Sequence, residues 1–142
     1  MPRNVYSEIH LHVVWHTKES RALIKPQMEQ RVYDCIRRRA IAPGGVYVHE
    51  IGGTPTHVHL AATVPPMLLA SDWIGKLKGG SSHDLNELAI FAGDFRWQAG
   101  YGVVSFGTKN LSWIRAYIRD QKRHHEQNTW AERLERIMQP DA

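Results

Sequence analysis

The chain has 142 residues, with 18 basic and 14 acidic side chains, nine histidines and a net charge of +4. That length suits one domain with its own core. A single cysteine excludes an internal disulfide and a cysteine-built metal framework; no apolar run is long enough to cross a bilayer. The first residues, Met1-Pro2-Arg3-Asn4, lack the features of a secretory signal. A cytoplasmic protein with no membrane partner is therefore expected, built as one domain over residues 1–142, with a core of about 5–125 and a tail of 126–142.

In chain order, Val5 to Trp15 reads as a strand rich in β-branched and aromatic residues. It carries His10 and His12, with His16 just beyond. His10 reads as a hydrogen-bonded polar residue, and the role of His12 is open. Pro26 marks a helix start, and Met28, Val32, Cys35 and Ile36 follow at helical spacing. Arg37-Arg38-Arg39 lies near the helix end, where cations oppose the dipole; it is either a solvated end or a phosphate contact. Ala42-Pro43-Gly44-Gly45 ends the helix.

Val46 to Ile51 reads as a short strand and Gly52-Gly53-Thr54-Pro55 as a tight connection. Thr56 to Val64 reads as the hairpin partner, closed by Pro65-Pro66. This strand carries His57 and His59. Side chains alternate along a strand, so both imidazoles point to one face and can hold a divalent metal together.

Met67 to Leu77 is helical in pattern, Gly79-Gly80 interrupts it, and Ser81-Ser82-His83-Asp84 offers caps for a continuation through Leu85, Leu88, Ala89 and Ile90. The stretch Lys76 to Ser82 combines cations, hydroxyls and glycines. It can either present backbone N–H groups to a phosphate or simply break a helix. Tyr101 to Phe106 reads as a strand. The last long helix starts near Asn110-Leu111-Ser112 and ends near His124-His125, and a further short helix is expected around Trp130, Leu134, Ile137 and Met138. On the long helix Tyr117 and Gln121, four apart, share a face that His124 or His125 continues.

The order is strand, helix, two strands, helix, strand, helix. This predicts an α+β, ferredoxin-like βαββαβ antiparallel sheet with an added C-terminal helix that carries the tyrosine. The first and third strands are then central neighbours, which brings His12 near His57 or His59. A tyrosine beside an amide and facing a His-x-His strand can be a core residue, or a nucleophile beside a metal.

Taken in order, Ile51-Gly52-Gly53 before His57-Val58-His59, Pro65-Pro66, Lys76-Leu77-Lys78-Gly79, Trp97-Gln98-Ala99-Gly100-Tyr101-Gly102 and Tyr117-Ile118-Arg119-Asp120-Gln121 resemble the IS200/IS605-type single-tyrosine transposases of the HUH endonuclease superfamily. The resemblance spans about residues 5 to 125. It implies that His57, His59 and Gln121 bind Mg²⁺ or Mn²⁺ and that Tyr117 attacks a DNA phosphate, leaving a 5′-phosphotyrosine link and a free 3′-OH. It also implies action on single-stranded DNA next to hairpins, by a homodimer whose active site can be shared between subunits. Many relatives have an acid just before the first histidine, where this chain has Thr56. A domesticated, REP-associated enzyme is a close variant of this reading. A non-catalytic nucleic-acid-binding module would instead place aromatics on the central strands. A metal enzyme unrelated to DNA would leave Tyr117 and Gln121 unexplained. Candidate DNA contacts are Lys76, Lys78, Ser81, Ser82, Arg96, Arg119, Lys122 and Arg123, whose cations would make binding salt-dependent.

Overall fold

The computed structural model describes residues 4–91 and 93–137. Four strands, β1 (His10–His16), β2 (Tyr47–Thr54), β3 (His57–Thr63) and β4 (Gly102–Phe106), form one antiparallel sheet in the order β2-β3-β1-β4. Helix α1 (Glu29–Ile41) joins β1 to β2, and α2 (Ala70–Asn86) joins β3 to β4. Three shorter helices follow: α3 (Leu111–Arg119), α4 (Gln121–Glu126) and α5 (Glu132–Glu135). The ferredoxin-like βαββαβ plan is therefore present, with the added C-terminal helical segment.

Register decides which side chains meet. His10, His12, Val14 and His16 of β1 pair with Thr63, Ala61, His59 and His57 of β3, so these residues share one face. The alternate positions, Val13 and Trp15 of β1 with Val58, Leu60 and Ala62 of β3, face the other way. They form the main core with Val32, Ile36 and Ala40 of α1 and Trp73, Ile74, Leu77 and Leu85 of α2. Ile114, Tyr117 and Ile118 of α3 and Leu134 of α5 pack with Ala61 on the histidine face.

Four boundaries differ from the sequence expectation, each for a tertiary reason. β1 begins at His10, not Val5, because its partners β3 and β4 end opposite His10, at Thr63 and Phe106. Gly52 and Gly53 lie inside β2, and the turn is Pro55-Thr56. A Cβ on Gly52 would stand 2.4 Å from the Ile118 carbonyl oxygen, so glycine is what lets α3 dock on β2. Gly79-Gly80 does not break α2, which runs through to Asn86 and ends before Leu88, Ala89 and Ile90. At Gly80 a Cβ would stand 2.6 Å from Arg39 Cδ, so the glycine makes room for the Arg39 side chain as it crosses α2 to a two-pronged pair with Asp84 (2.8 and 2.7 Å). Finally, the last long helix is divided at Asp120, whose φ of −98° and ψ of 22° are not helical. Of the short helix expected beyond it, Leu134 is buried and Met138 lies outside the described residues.

Candidate active site

His57 and His59 stand on β3 with their Nε2 atoms facing α3, α4 and α5. Both are buried. His57 Nε2 lies 3.3 Å from Gln121 Oε1 and 3.2 Å from His125 Nε2, and His125 Nε2 is 3.2 Å from the same amide oxygen. Gln121 is fully buried, and its amide nitrogen donates to the Tyr117 carbonyl (3.3 Å). That hydrogen bond turns the amide oxygen toward the imidazoles. The i, i+4 relation of Tyr117 and Gln121 thus survives the break at Asp120, because Asp120 N–H still donates to Ala116 O (3.0 Å).

Glu135 completes the cluster. Its Oε1 lies 3.1 Å from His59 Nε2 and 3.4 Å from the Nε2 atoms of both His57 and His125. One donor atom from each of His57, His59, His125 and Glu135 falls within 4.8 Å of all the others. Three imidazoles and a carboxylate, with an amide oxygen beside them, are a donor set suited to a divalent cation. Protonation agrees with this use. Burial pushes the His59 imidazole down to about 4 against the partial opposition of Glu135, and burial lowers His125 as well. Burial alone would raise the Glu135 carboxyl, but hydrogen bonds from His57 and His59 outweigh it and hold the group well below the usual carboxylate range. Neutral imidazole and ionised carboxylate are the forms that ligate a metal.

The second ring nitrogens are held too. His57 Nδ1 meets the Thr54 hydroxyl at 2.8 Å and the Thr56 hydroxyl at 3.2 Å. Thr56, directly before the first histidine of the pair, therefore touches that imidazole through its hydroxyl oxygen. His59 Nδ1 meets His12 Nε2 at 2.8 Å. His12 shares the face of the pair, whereas His10 is taken up by the Thr63 and Thr108 hydroxyls (2.7 and 2.8 Å).

Tyr117 stands at the edge of this cluster. Its ring is stacked between Trp113 (5.4 Å) and His124 (4.8 Å), which fixes its direction. Its hydroxyl accepts from Ala131 N–H (2.8 Å) and donates to the second carboxylate oxygen of Glu135. Burial first, and then that hydrogen bond to an anion, push the phenol above its ordinary value. Glu135 thus bridges the tyrosine hydroxyl and the imidazoles. All of these residues belong to one chain.

Sequence reading missed Glu135 and left His125 open. No local signal marked Glu135: the burial of Leu134 against the α3 face, a property of the packed chain, carries the neighbouring carboxylate inward. Arg133, donating to Ser105 O (2.6 Å), anchors α5 on β4.

The predicted DNA-contact residues divide into two groups. Arg119, Lys122 and Arg123 lie on α3 and α4 toward β2, where they pair with Glu50 (3.4 Å), Glu29 (2.5 Å) and Asp120 (3.0 Å). Lys76, Lys78, Ser81 and Ser82 lie on α2, across the sheet. Lys76 is exposed and pairs with Asp72 (3.1 Å). Lys78 Nζ donates to the carbonyls of Gln98 and Gly100 (2.9 and 2.7 Å) and is half-buried. Ser81 is fully buried; it donates to Lys78 O (3.1 Å) and accepts from Trp97 Nε1 (3.0 Å), so it is an internal side chain. Ser82 donates to Gly79 O (3.1 Å). Because residues 76–82 lie within a continuous helix, their N–H groups are engaged in its ladder and form no phosphate cradle. Arg96 is exposed in the loop before β4.

The antiparallel βαββαβ fold is shared with two solved structures. A candidate transposase from Deinococcus radiodurans R1 superposes with a TM-score of 0.64 at 20% identity, over 92% of this chain and 98% of that one. A REP-associated tyrosine transposase bound to a REP hairpin superposes with a TM-score of 0.62 at 15% identity, over 92% of this chain and 75% of that one. No protein of curated function matches the sequence. The family profile "Transposase IS200 like" matches residues 5–121, and the chain belongs to that family. No helix among the described residues is long and apolar enough to cross a membrane.

Proposed function

We propose that this transposase cleaves and rejoins single-stranded DNA beside hairpins, with Tyr117 as the nucleophile and His57, His59 and Gln121 as ligands of a divalent metal. The observation that carries the reading is the convergence of His57 Nε2, His59 Nε2 and Gln121 Oε1 next to the Tyr117 hydroxyl, from elements more than fifty residues apart. His125 extends the same donor set, and the Glu135 carboxylate occupies it in the DNA-free chain.

A bound cation supplies polarisation of the scissile phosphate and stabilises its developing charge. Of the two cations implied by the resemblance, Mn²⁺ suits an imidazole-rich set better than Mg²⁺. Tyr117 Oη forms the new bond to phosphorus as the bond to the 3′ oxygen breaks. The proton lost by the phenol is matched by the proton gained at the 3′-OH. The phosphotyrosine link conserves the bond energy for rejoining. The phosphate must lie between hydroxyl and imidazoles, where the Glu135 carboxylate now sits, so α5 has to yield as DNA enters. Its withdrawal also removes one of the causes that raise the phenol. Arg119, Lys122 and Arg123, which lie together on the β2 side of the sheet, suit a phosphate backbone.

The whole chain acts as one transposase domain in this reading, either on a mobile element or as a host copy; the flanking genomic sequence distinguishes these by the presence or absence of element ends. A homodimer is part of the proposal, although the residues above need no second copy to meet. Sedimentation showing only monomer at micromolar concentration would rule it out.

The test incubates the protein with single-stranded hairpin oligonucleotides from its own locus and Mg²⁺ or Mn²⁺. A covalent protein–DNA adduct is expected, lost in Tyr117→Phe and on chelation. An adduct that persists in Tyr117→Phe refutes the nucleophile.

A further inference from the structure

His12 lies on a different strand from the histidine pair, is 1% exposed, and makes one side-chain contact that the transposition chemistry does not use: its Nε2 is 2.8 Å from His59 Nδ1. Two ring nitrogens at that distance require one N–H between them, donated by one ring and accepted by the other. Both rings are buried, and an imidazole, with an ordinary pKa of about 6.5, is neutral above neutral pH. Each ring therefore holds one proton, and the two tautomers are locked to each other.

In the structure as it stands, His59 Nε2 lies 3.1 Å from the ionised Glu135 Oε1. A carboxylate only accepts, so His59 holds its proton on Nε2. Its Nδ1 then accepts, and His12 Nε2–H is the donor. To ligate a cation through Nε2, His59 has to carry its proton on Nδ1 and donate it to His12 Nε2. His12 then holds its own proton on Nδ1. A carboxylate or a backbone carbonyl in the place of His12 could accept in the second state but not donate in the first. Imidazole does both.

We propose that His12 is a positioning residue of the metal centre, a reversible donor and acceptor that holds His59 in place in both the metal-free and the metal-bound protein. The inference rests on the metal reading above. Each ring keeps one proton throughout, so the exchange is balanced. His57 has no such partner: the Thr54 and Thr56 hydroxyls reach its Nδ1, and hydroxyls rotate freely between the two roles.

The experiment follows the full chain, labelled with ¹⁵N-histidine, by long-range proton–nitrogen NMR without metal and with Zn²⁺ as a diamagnetic probe. Binding of Mn²⁺ is measured alongside by electron paramagnetic resonance. His59 is expected to change from the Nε2–H to the Nδ1–H form on Zn²⁺ binding, with His12 changing in the same step. His12→Leu, whose side chain neither donates nor accepts, should bind Mn²⁺ about 10- to 100-fold more weakly at unchanged circular dichroism. His12→Gln, whose amide reaches the same position in either sense, should restore most of the affinity. A His12 tautomer that stays fixed when the wild type binds Zn²⁺ overturns the proposal, as does wild-type Mn²⁺ affinity in His12→Leu. The NMR result decides the matter even if the leucine variant fails to fold. A wild type that binds neither cation defeats the metal reading itself, and this inference with it.

Discussion

On one face of the sheet, Val13, Trp15, Val58, Leu60 and Ala62 meet the apolar stripes of α1 and α2. On the other, His10, His12, His57 and His59 alternate with those same residues, and short helices cover them. The strands are shared and the backbone hydrogen bonds are the same, yet the two faces are held together differently. The apolar face gains from area removed from water, which is non-directional and tolerates imperfect fit. The histidine face buries a smaller apolar cluster and adds directional hydrogen bonds at its imidazoles, and it needs a glycine where α3 touches β2. A substitution on the first face should therefore cost stability, and one on the second should cost chemistry.

The largest expected effect breaks the histidine face alone. His57→Ala with His59→Ala removes two of the proposed ligands, and adduct formation should fall by about three orders of magnitude, the scale of several kcal/mol of lost charge stabilisation. The melting temperature of the metal-free protein should fall less than in a core truncation, because only hydrogen bonds to the partners of the two rings are lost. If thermal unfolding of this double variant fell as far as that of a core truncation, the division between the faces would be wrong.

The matching change on the other face is Leu60→Ala, one strand position from His59 and fully buried. It should cost about 2–5 kcal/mol, or about 8–15 °C in melting temperature, measured by circular dichroism. Adduct formed per folded molecule should stay near wild type.

Gly52→Ala joins the two faces. Its new Cβ would stand 2.4 Å from the Ile118 carbonyl oxygen, so α3 must move off β2 or the strand must bend. Overpacking of this kind costs about 1–3 kcal/mol, and because Tyr117 precedes Ile118 on α3, the nucleophile moves with it. Adduct yield should fall by about a hundredfold at full folding, read by gel shift under denaturing conditions.

What the sequence made legible follows the same division. The alternation of histidine with valine and leucine in His57-Val58-His59-Leu60 has period two, so both the face and the pairing of imidazoles could be read locally. Tyr117 and Gln121 could be joined by helical spacing, and the structure keeps them adjacent although the helix divides between them. Glu135 could not be joined to His59, 76 residues away, because only the burial of Leu134 beneath the α3 face decides where that carboxylate points. The glycine pairs failed for a related reason. Gly52-Gly53 and Gly79-Gly80 look like turns or breaks when taken locally, but Gly52 and Gly80 are glycines because another element's atoms occupy the space of a Cβ. Local periodicity reports backbone state and face, whereas close approach is a property of the packed molecule.

The smallest effect tests whether the apolar side is electrically independent of the site. Arg39 on α1 and Asp84 on α2 form a two-pronged pair on that side, with Arg39 partly in solvent (41% exposed). The hydrogen bonds from Arg39 hold the Asp84 carboxyl below its ordinary value. A depressed folded-state value means that the pair contributes stability above the unfolded carboxyl's pKa of about 3.9, and that the contribution fades as pH falls through the folded value. Solvent screening keeps it small. Asp84→Asn should therefore lower the melting temperature by only about 1–3 °C at pH 7, with the gap to wild type closing as pH falls below the ordinary carboxylate range. Adduct formation at pH 7 should not change, since α2 lies across the sheet from Tyr117. A loss of adduct in this variant would mean that the α1–α2 layer sets the position of the histidine strand, and that the two faces are mechanically one.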